Sequence, residues 1–388
     1  MARSIKVSGS NPSVLIIGGG VIGLSIAREL HLRGVRNITL LERKACGEES
    51  SWAAGGMLGP QAEADEAGPF YDLCGGSRDL YPAFADALLA ETGIDIELDR
   101  SGTLYSAFNI EDERHLNGRF EWQSKAGLAV ERLTAEETRR SESFISPDVR
   151  MSLLFPNDWQ VDNRKLLTAL GHYAEMNKIE ICENTHVESL LIKDGCVTGA
   201  ASANRTFTAG KTVLATGAWT SLIKLGDMAM PFAVTPVRGQ IICMRTAKRV
   251  FEHVVYSRRG YIVPRADGRI LAGSTTEFTG FTKGVTGQAA TDLRNMAFEI
   301  APSMDNLQVI DSWSGLRPMA ADGLPVLGEI EGLDSLFVAT AHYRNGILLA
   351  PLTAKLAADS LIDGQTDIRL SEFSPNRFRV AAGKSNTR

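Results

Sequence analysis

Val14-Leu15-Ile16-Ile17-Gly18-Gly19-Gly20-Val21-Ile22-Gly23 is the stretch from which the fold can be read. Four apolar residues in a row have the character of a strand buried on both faces of a parallel sheet. The glycines then turn the chain, and Ile22, Ile26 and Leu30 recur at four-residue spacing, which predicts a helix. Gly18 permits the tight turn, Gly20 lets the backbone approach a pyrophosphate, and Gly23 allows close packing of the helix, whose free N–H groups and dipole favour negative charge. A second apolar strand, Ile38 to Leu41, ends in Glu42, nineteen residues after Gly23. A carboxylate there can accept both hydroxyls of an adenosine ribose and would repel a 2'-phosphate, which disfavours NADP. Strand, turn, helix and acid in this register point to a dinucleotide-binding domain.

At 388 residues and 44% hydrophobic composition, the chain is long enough for two packed domains. No apolar run approaches a bilayer span, and the first thirteen residues are polar with no apolar signal region, so a cytoplasmic protein without a membrane partner is expected. The net charge of -5 and pI near 5.8, with Lys and Arg scattered among the acids, supply no basic stripe for nucleic acid. Cys46, Cys74, Cys182, Cys196 and Cys243 are odd in number, form no C-x-x-C pair and have no His at metal-ligand spacing. Reduced cysteines and no metal are expected.

Farther along, Lys211 to Trp219 and Ser335 to Ala341 read as buried strands of the same parallel sheet, so the dinucleotide domain is discontinuous. Other blocks alternate apolar and polar residues and suit an antiparallel sheet: Gly239 to Arg245, Val254 to Tyr256, Gly260 to Arg265, Arg269 to Gly273 and Gln308 to Gly315. Ala266-Asp267-Gly268-Arg269 closes a hairpin between two of them. The fold class expected is α/β, a Rossmann-like domain from residues 11–90, 155–225 and 310–372. A discontinuous α+β substrate domain from 91–154 and 226–309 stands over it on the antiparallel sheet. The ends, 1–10 and 380–388, read as flexible, and a pocket between the domains follows.

NAD and FAD share the first motif, and three further segments bear on the choice. Ser50-Ser51-Trp52-Ala53-Ala54-Gly55-Gly56-Met57-Leu58-Gly59 is a small-residue run that would let backbone lie flat against a bulky planar ring. The strand ending Ala215-Thr216-Gly217 gives a second approach to the nucleotide. In Ala341-His342-Tyr343-Arg344-Asn345-Gly346-Ile347-Leu348-Leu349-Ala350-Pro351, Pro351 fits the first turn of a closing helix running to about Leu361, whose start can face a flavin's pyrimidine end and stabilise negative charge there. The expected cofactor contacts are Gly18, Gly20, Val21, Ile22, Gly23, Glu42, Arg43, Ser50, Ser51, Gly55, Gly56, Met57, Val187, Gly217, His342, Tyr343, Arg344, Asn345, Gly346, Ile347 and Leu348.

Through Gly18 to Gly23, Ala53 to Gly59, Tyr261 to Arg265, Trp313 to Pro318 and His342 to Pro351, the chain resembles the FAD-dependent D-amino-acid oxidase superfamily. Within it the chain is most similar to the glycine oxidases, over roughly residues 13–372. The resemblance implies Arg317 and Tyr261 as holders of a substrate carboxylate, with Arg344 bordering the same pocket. A guanidinium suits that task because its two parallel donors orient a planar carboxylate. An ion pair with Asp322 would compete for Arg317, and Arg344 could equally clamp its own loop. Met57 and Thr276 are candidates for shaping the pocket.

Relatives that bond flavin covalently use a cysteine near the C-terminal loop, and this chain has none beyond Cys243, so noncovalent FAD is implied. The implied reaction is hydride loss from a small amino acid or amine to FAD, with oxygen as the acceptor and with imine, 2-oxo acid, ammonia and hydrogen peroxide as products. A role in thiamine-thiazole synthesis is implied with it, as is a homo-oligomer. Two other readings are a D-amino-acid dehydrogenase feeding a quinone and a flavin-binding protein without turnover. The first calls for an amphipathic or basic docking surface, which the sequence does not offer.

Overall fold

The computed structural model describes residues 13–365 and 367–382. The expectation of flexible ends therefore lies mostly outside the described residues. Of 380–388, residues 380–382 are described and complete the final helix, Arg377–Ala382.

Val14–Ile17 is the centre of a six-stranded sheet. The order is Val326–Glu329, Leu336–Thr340, Lys211–Leu214, Val14–Ile17, Ile38–Leu41 and Glu180–Cys182. All neighbours are parallel except the first pair. Its strands need both faces covered, and alternate side chains do this: Val14 and Ile16 pack under Val21–Leu32, Pro69–Thr92, Asn163–Met176 and Gly346–Ala358, while Leu15 and Ile17 face a three-stranded antiparallel sheet. That small sheet orders Thr206–Thr208, Cys196–Ser202 and Val187–Lys193.

The second large sheet has eight strands, in the order Val309–Ala320, Val234–Arg245, Arg269–Gly273, Gly260–Pro264, Val254–Ser257, Thr103–Ala107, Met151–Phe155 and Glu131–Thr134. It is mixed rather than purely antiparallel, because Val254–Ser257 runs parallel to Thr103–Ala107. The expected hairpin is present, with Arg265 N–H donating to Arg269 O at 2.8 Å. The block Gln308 to Gly315 joins this sheet as expected, but the domain boundary drawn at residue 310 does not hold, because residues 310–320 all stand in the second sheet. They continue one long strand that pairs with Val234–Arg245 from Val234 opposite Ala320 to Met244 opposite Val309. One face of the sheet packs on the helix Gly287–Ile300 through Ile242, Ile262, Ile270 and Met296. The other turns Ile241, Tyr261, Val263 and Trp313 toward the small-residue run of the first domain.

The closing helix corrects one expectation. Pro351 lies inside Gly346–Ala358, more than a turn after its start, and so cannot donate to Ile347 O. The Tyr81 hydroxyl donates to that carbonyl in its place, and Ser77 Oγ donates to Leu348 O at 2.6 Å. With these substitutes in place the proline stays buried in an unbroken helix.

Candidate functional site

A cavity enclosing about 1770 Å³ of empty space, its open mouth included, runs from the first sheet's glycine turn to the face of the second sheet. Its walls reach from Gly18 and Glu42 at one end to Tyr261 and Arg317 at the other.

At one end, Gly18 adopts φ +112°, and a Cβ there would stand 2.3 Å from Ala215 O; one on Gly23 would stand 1.9 Å from Gly18 O. Only glycine fits this strand-turn-helix junction, which leaves the N-terminus of Val21–Leu32 facing the cavity. The Glu42 carboxylate accepts from Gly19 N–H at 2.8 Å and from Lys44 N–H at 2.9 Å, so it both braces the turn and lines the cavity. Val21 N–H donates to Ser51 Oγ at 3.1 Å, which ties the turn to the small-residue run.

That run is held from several directions. Asn163 Nδ2 donates to Ser51 O and Trp52 O, Trp313 Nε1 to Ala53 O at 3.1 Å, and the Ser50 hydroxyl to Leu316 O. Arg265, fully buried with no acid of its own, donates to Gly55 O at 2.8 Å and Val161 O at 2.7 Å. Burial pushes its pKa down to about 10. The backbone from Gly55 to Met57 is thus fixed between the two sheets along the cavity wall.

At the far end, two side chains lie flat on glycines of the second sheet. A Cβ on Gly239 would stand 2.1 to 2.3 Å from the Arg317 guanidinium, and one on Gly273 would stand 2.8 Å from the Tyr261 oxygen. Arg317 donates to Ser274 Oγ at 2.6 Å and Thr275 O at 3.1 Å, both neutral. No carboxylate among the described residues stands within ion-pair distance of it. Asp322, its expected competitor, instead pairs with Arg377 at 2.8 Å.

Arg344 is different. Its Nε and Nη2 donate to Glu63 Oε2 and Oε1 at 2.8 and 2.9 Å, and Tyr256 joins the pair, donating to Glu63 Oε1 at 2.9 Å. Burial works to raise Glu63, but the guanidinium of Arg344 wins and holds its carboxyl below the usual range. Tyr256 is raised well above a normal phenol by burial and by that carboxylate, and Arg344 is raised by Glu63. His342 is pushed down to about 3 by burial and sits against Thr353 Oγ1, so it is neutral.

Of the residues expected at the site, Gly18, Gly20, Val21, Ile22, Glu42, Arg43, Ser50, Ser51, Gly55, Gly56, Met57, Val187, Gly217, Tyr261, Arg317 and His342 through Ile347 all line this one cavity. Gly23 and Leu348 do not: the first serves the helix junction, and the second is buried under Ser77. Thr276 lines an adjoining vestibule that shares Glu63, Tyr256, Tyr261, Ser274 and Arg344 with the main cavity. Sequence reasoning missed Glu63, Tyr256, Ser274 and Gly239. For Gly239 a signal existed, since a lone glycine inside a strand pattern marks close approach of another group.

This arrangement of sheets, glycine turn and facing arginine defines a flavin-oxidoreductase architecture, and the chain belongs to the FAD dependent oxidoreductase family DAO, matched over residues 13–360. It is 33% identical over 363 residues to a glycine oxidase of Pseudomonas aeruginosa, covering 93% of this chain and 98% of that one. It is 35% identical over 371 residues to a bifunctional protein ThiO/ThiG of Synechocystis, 94% of this chain but 54% of that one. The crystal structure of glycine oxidase from Geobacillus kaustophilus superposes with a TM-score of 0.88 at 34% identity, over 94% of this chain and 98% of that one. The cofactor of this family is FAD, and the cavity fits it: the glycine turn and Glu42 suit the adenosine diphosphate, while the fixed run Gly55 to Met57 and the helix start at Gly346 suit the ring.

Proposed function

We propose that this protein oxidatively deaminates glycine and related small amines such as sarcosine and small D-amino acids, using oxygen and releasing hydrogen peroxide. The observation that carries the reading is Arg317: a cation laid on Gly239, held by neutral oxygens alone and facing the cavity beside Tyr261. A half-buried guanidinium without a counter-ion suits a ligand that brings a carboxylate. Arg317 fixes the carboxylate bidentately, and the Tyr261 phenol can donate to the same group. The α-carbon is thereby held in one orientation, which is the protein's main contribution to rate.

FAD supplies the acceptor of the α-hydrogen and its electron pair, and oxygen in turn takes those electrons. No side-chain base is needed in this scheme. Among the titratable groups that line the substrate end, Glu63 is committed to Arg344 and His342 to Thr353. The imine product reacts with water to give the 2-oxo acid and ammonia. Glycine imine would also serve thiazole formation in thiamine synthesis, a reading supported by the ThiO/ThiG relative. We place the protein in the cytoplasm as a homo-oligomer.

Peroxide release tests the reading. Purified enzyme supplied with FAD, oxygen and glycine, sarcosine or D-alanine should form peroxide in step with ammonia or methylamine. Turnover with a quinone but no peroxide would point instead to a dehydrogenase, and turnover with neither acceptor would leave only flavin binding.

A further inference from the structure

Resting on the glycine-oxidase reading, we propose that Glu63 sets substrate specificity. By pairing with Arg344 it leaves Arg317 as the one guanidinium of the main cavity, among the described residues, with no carboxylate at ion-pair distance, so the pocket admits amino acids with a single carboxylate and rejects amino dicarboxylates such as N-carboxymethylglycine.

Two arginines meet at this end of the cavity, but they are not equivalent. Arg317 touches only neutral oxygens. Arg344 is engaged by both oxygens of one carboxylate, with the Tyr256 hydroxyl closing the group. Arg344 and Glu63 line both the main cavity and the vestibule that opens beside it, which is where the second carboxylate of a longer substrate would have to lie. There it would meet the Glu63 carboxylate, of like charge, and a guanidinium whose Nε and Nη2 are already engaged, while the vestibule's other arginines, Arg119, Arg258 and Arg259, each face an acid, Asp65, Asp112 and Glu299.

The lock is built into the frame. Glu63 ends the turn Pro60–Glu63, whose Gln61 and Ala62 N–H groups are held by Asp158 at 3.1 and 2.8 Å. Arg119 and Gln123 grip Gln61 O from the other side, each near 2.9 Å. Glu63 therefore cannot swing away at little cost to receive a second anion. Among Arg317, Arg344 and Glu63, the charged groups at this end of the main cavity, one positive charge is left over, the complement of one carboxylate. Removing the Glu63 charge while keeping its shape would turn Arg344 into a second carboxylate holder.

The test uses FAD-loaded enzyme and two amine-free ligands of matched shape, methoxyacetate with one carboxylate and diglycolate with two, their dissociation constants read by calorimetry. Wild-type enzyme should favour methoxyacetate. Glu63→Gln should move the affinity ratio toward diglycolate by roughly tenfold or more, the worth of one charge-assisted contact. The double variant Glu63→Gln with Arg344→Gln, which removes both charges together, should return to the wild-type ratio. A Glu63→Gln ratio equal to wild type, or a double variant that keeps the gain, overturns the proposal. Should the single variant fail to fold, the double decides alone. Methoxyacetate affinity close to wild type supports the proposal, whereas a loss beyond about tenfold shows that Arg344 holds the carboxylate itself. A wild-type enzyme that binds methoxyacetate but leaves glycine unoxidised overturns the oxidase reading and not the charge lock.

Discussion

Gly239→Ala is the substitution that most sharply separates site geometry from fold. Gly239 sits mid-strand opposite Gly315, so alanine is compatible with its backbone. The added methyl, however, would start 2.1 Å from Arg317 Nη2, where ordinary contact begins at 3.4 Å. The guanidinium must therefore rise by roughly 1 Å, since its bed is the backbone of a paired strand and cannot retreat. That lifts it from Ser274 Oγ and carries its donors away from where a carboxylate would be held.

A misplacement of about 1 Å in a positioning group costs on the order of 100-fold in rate, or about 2.7 kcal/mol in the barrier. Overpacking at a cavity edge costs stability less, about 1 kcal/mol, because the arginine can move into open space. The assay is kcat/KM for glycine by coupled peroxide detection, with flavin content and Tm measured on the same preparation. The expected result is a loss near two orders of magnitude with flavin content unchanged and Tm within a few degrees. A kcat/KM within about threefold of wild type would refute the idea that Gly239 is the bed of a substrate-holding arginine.

Other outcomes follow from the same structure. Arg317→Ala should raise KM for glycine by two orders of magnitude or more, because two charge-assisted bonds worth about 1.5–3 kcal/mol each are lost, while absorption spectra show the flavin retained. Glu42→Ala removes the proposed ribose acceptor and the brace on Gly19, and flavin-to-protein ratios after dialysis should fall; full retention would contradict the proposal. Tyr81→Phe strips the donor from Ile347 O, which Pro351 cannot replace, and should cost about 1–3 kcal/mol in denaturant unfolding. Asp158 has its pKa pushed up to about 7 by burial, so the folded state holds its proton between the ordinary carboxylate range and neutrality. Its contribution to stability is present below about pH 4 and is lost as pH rises through 7. Asp158→Asn should remove that decline from a plot of Tm against pH.

The parts of the molecule legible in sequence were those written locally. The turn from Gly18 to Gly23, the strand ending at Glu42 and the hairpin at Ala266 to Arg269 each lie within about thirty residues and use glycines or acids with one structural meaning. Thr103–Ala107 and Met151–Phe155 escaped notice because they are almost wholly buried and show no alternation. The strand ending at Ala320 was read only as far as Gly315, and its continuation carries Pro318, which an edge strand tolerates.

The Glu63–Arg344 pair spans 281 residues, and nothing near either residue announces the other. Arg344 was expected either to border the substrate pocket or to clamp its own loop, and the partner it has, Glu63, was not foreseen. Pro351 was taken for a helix start because its missing N–H usually has no other solution, and the solution here is a hydroxyl from Tyr81, far away in the chain.

Anaerobic titration of the FAD-loaded protein with glycine tests the central claim most directly. The yellow absorption should bleach in step with glycine oxidised, one glycine per flavin, and return when air is admitted. A protein that takes up no FAD, or whose bound flavin stays oxidised at saturating glycine, would contradict it.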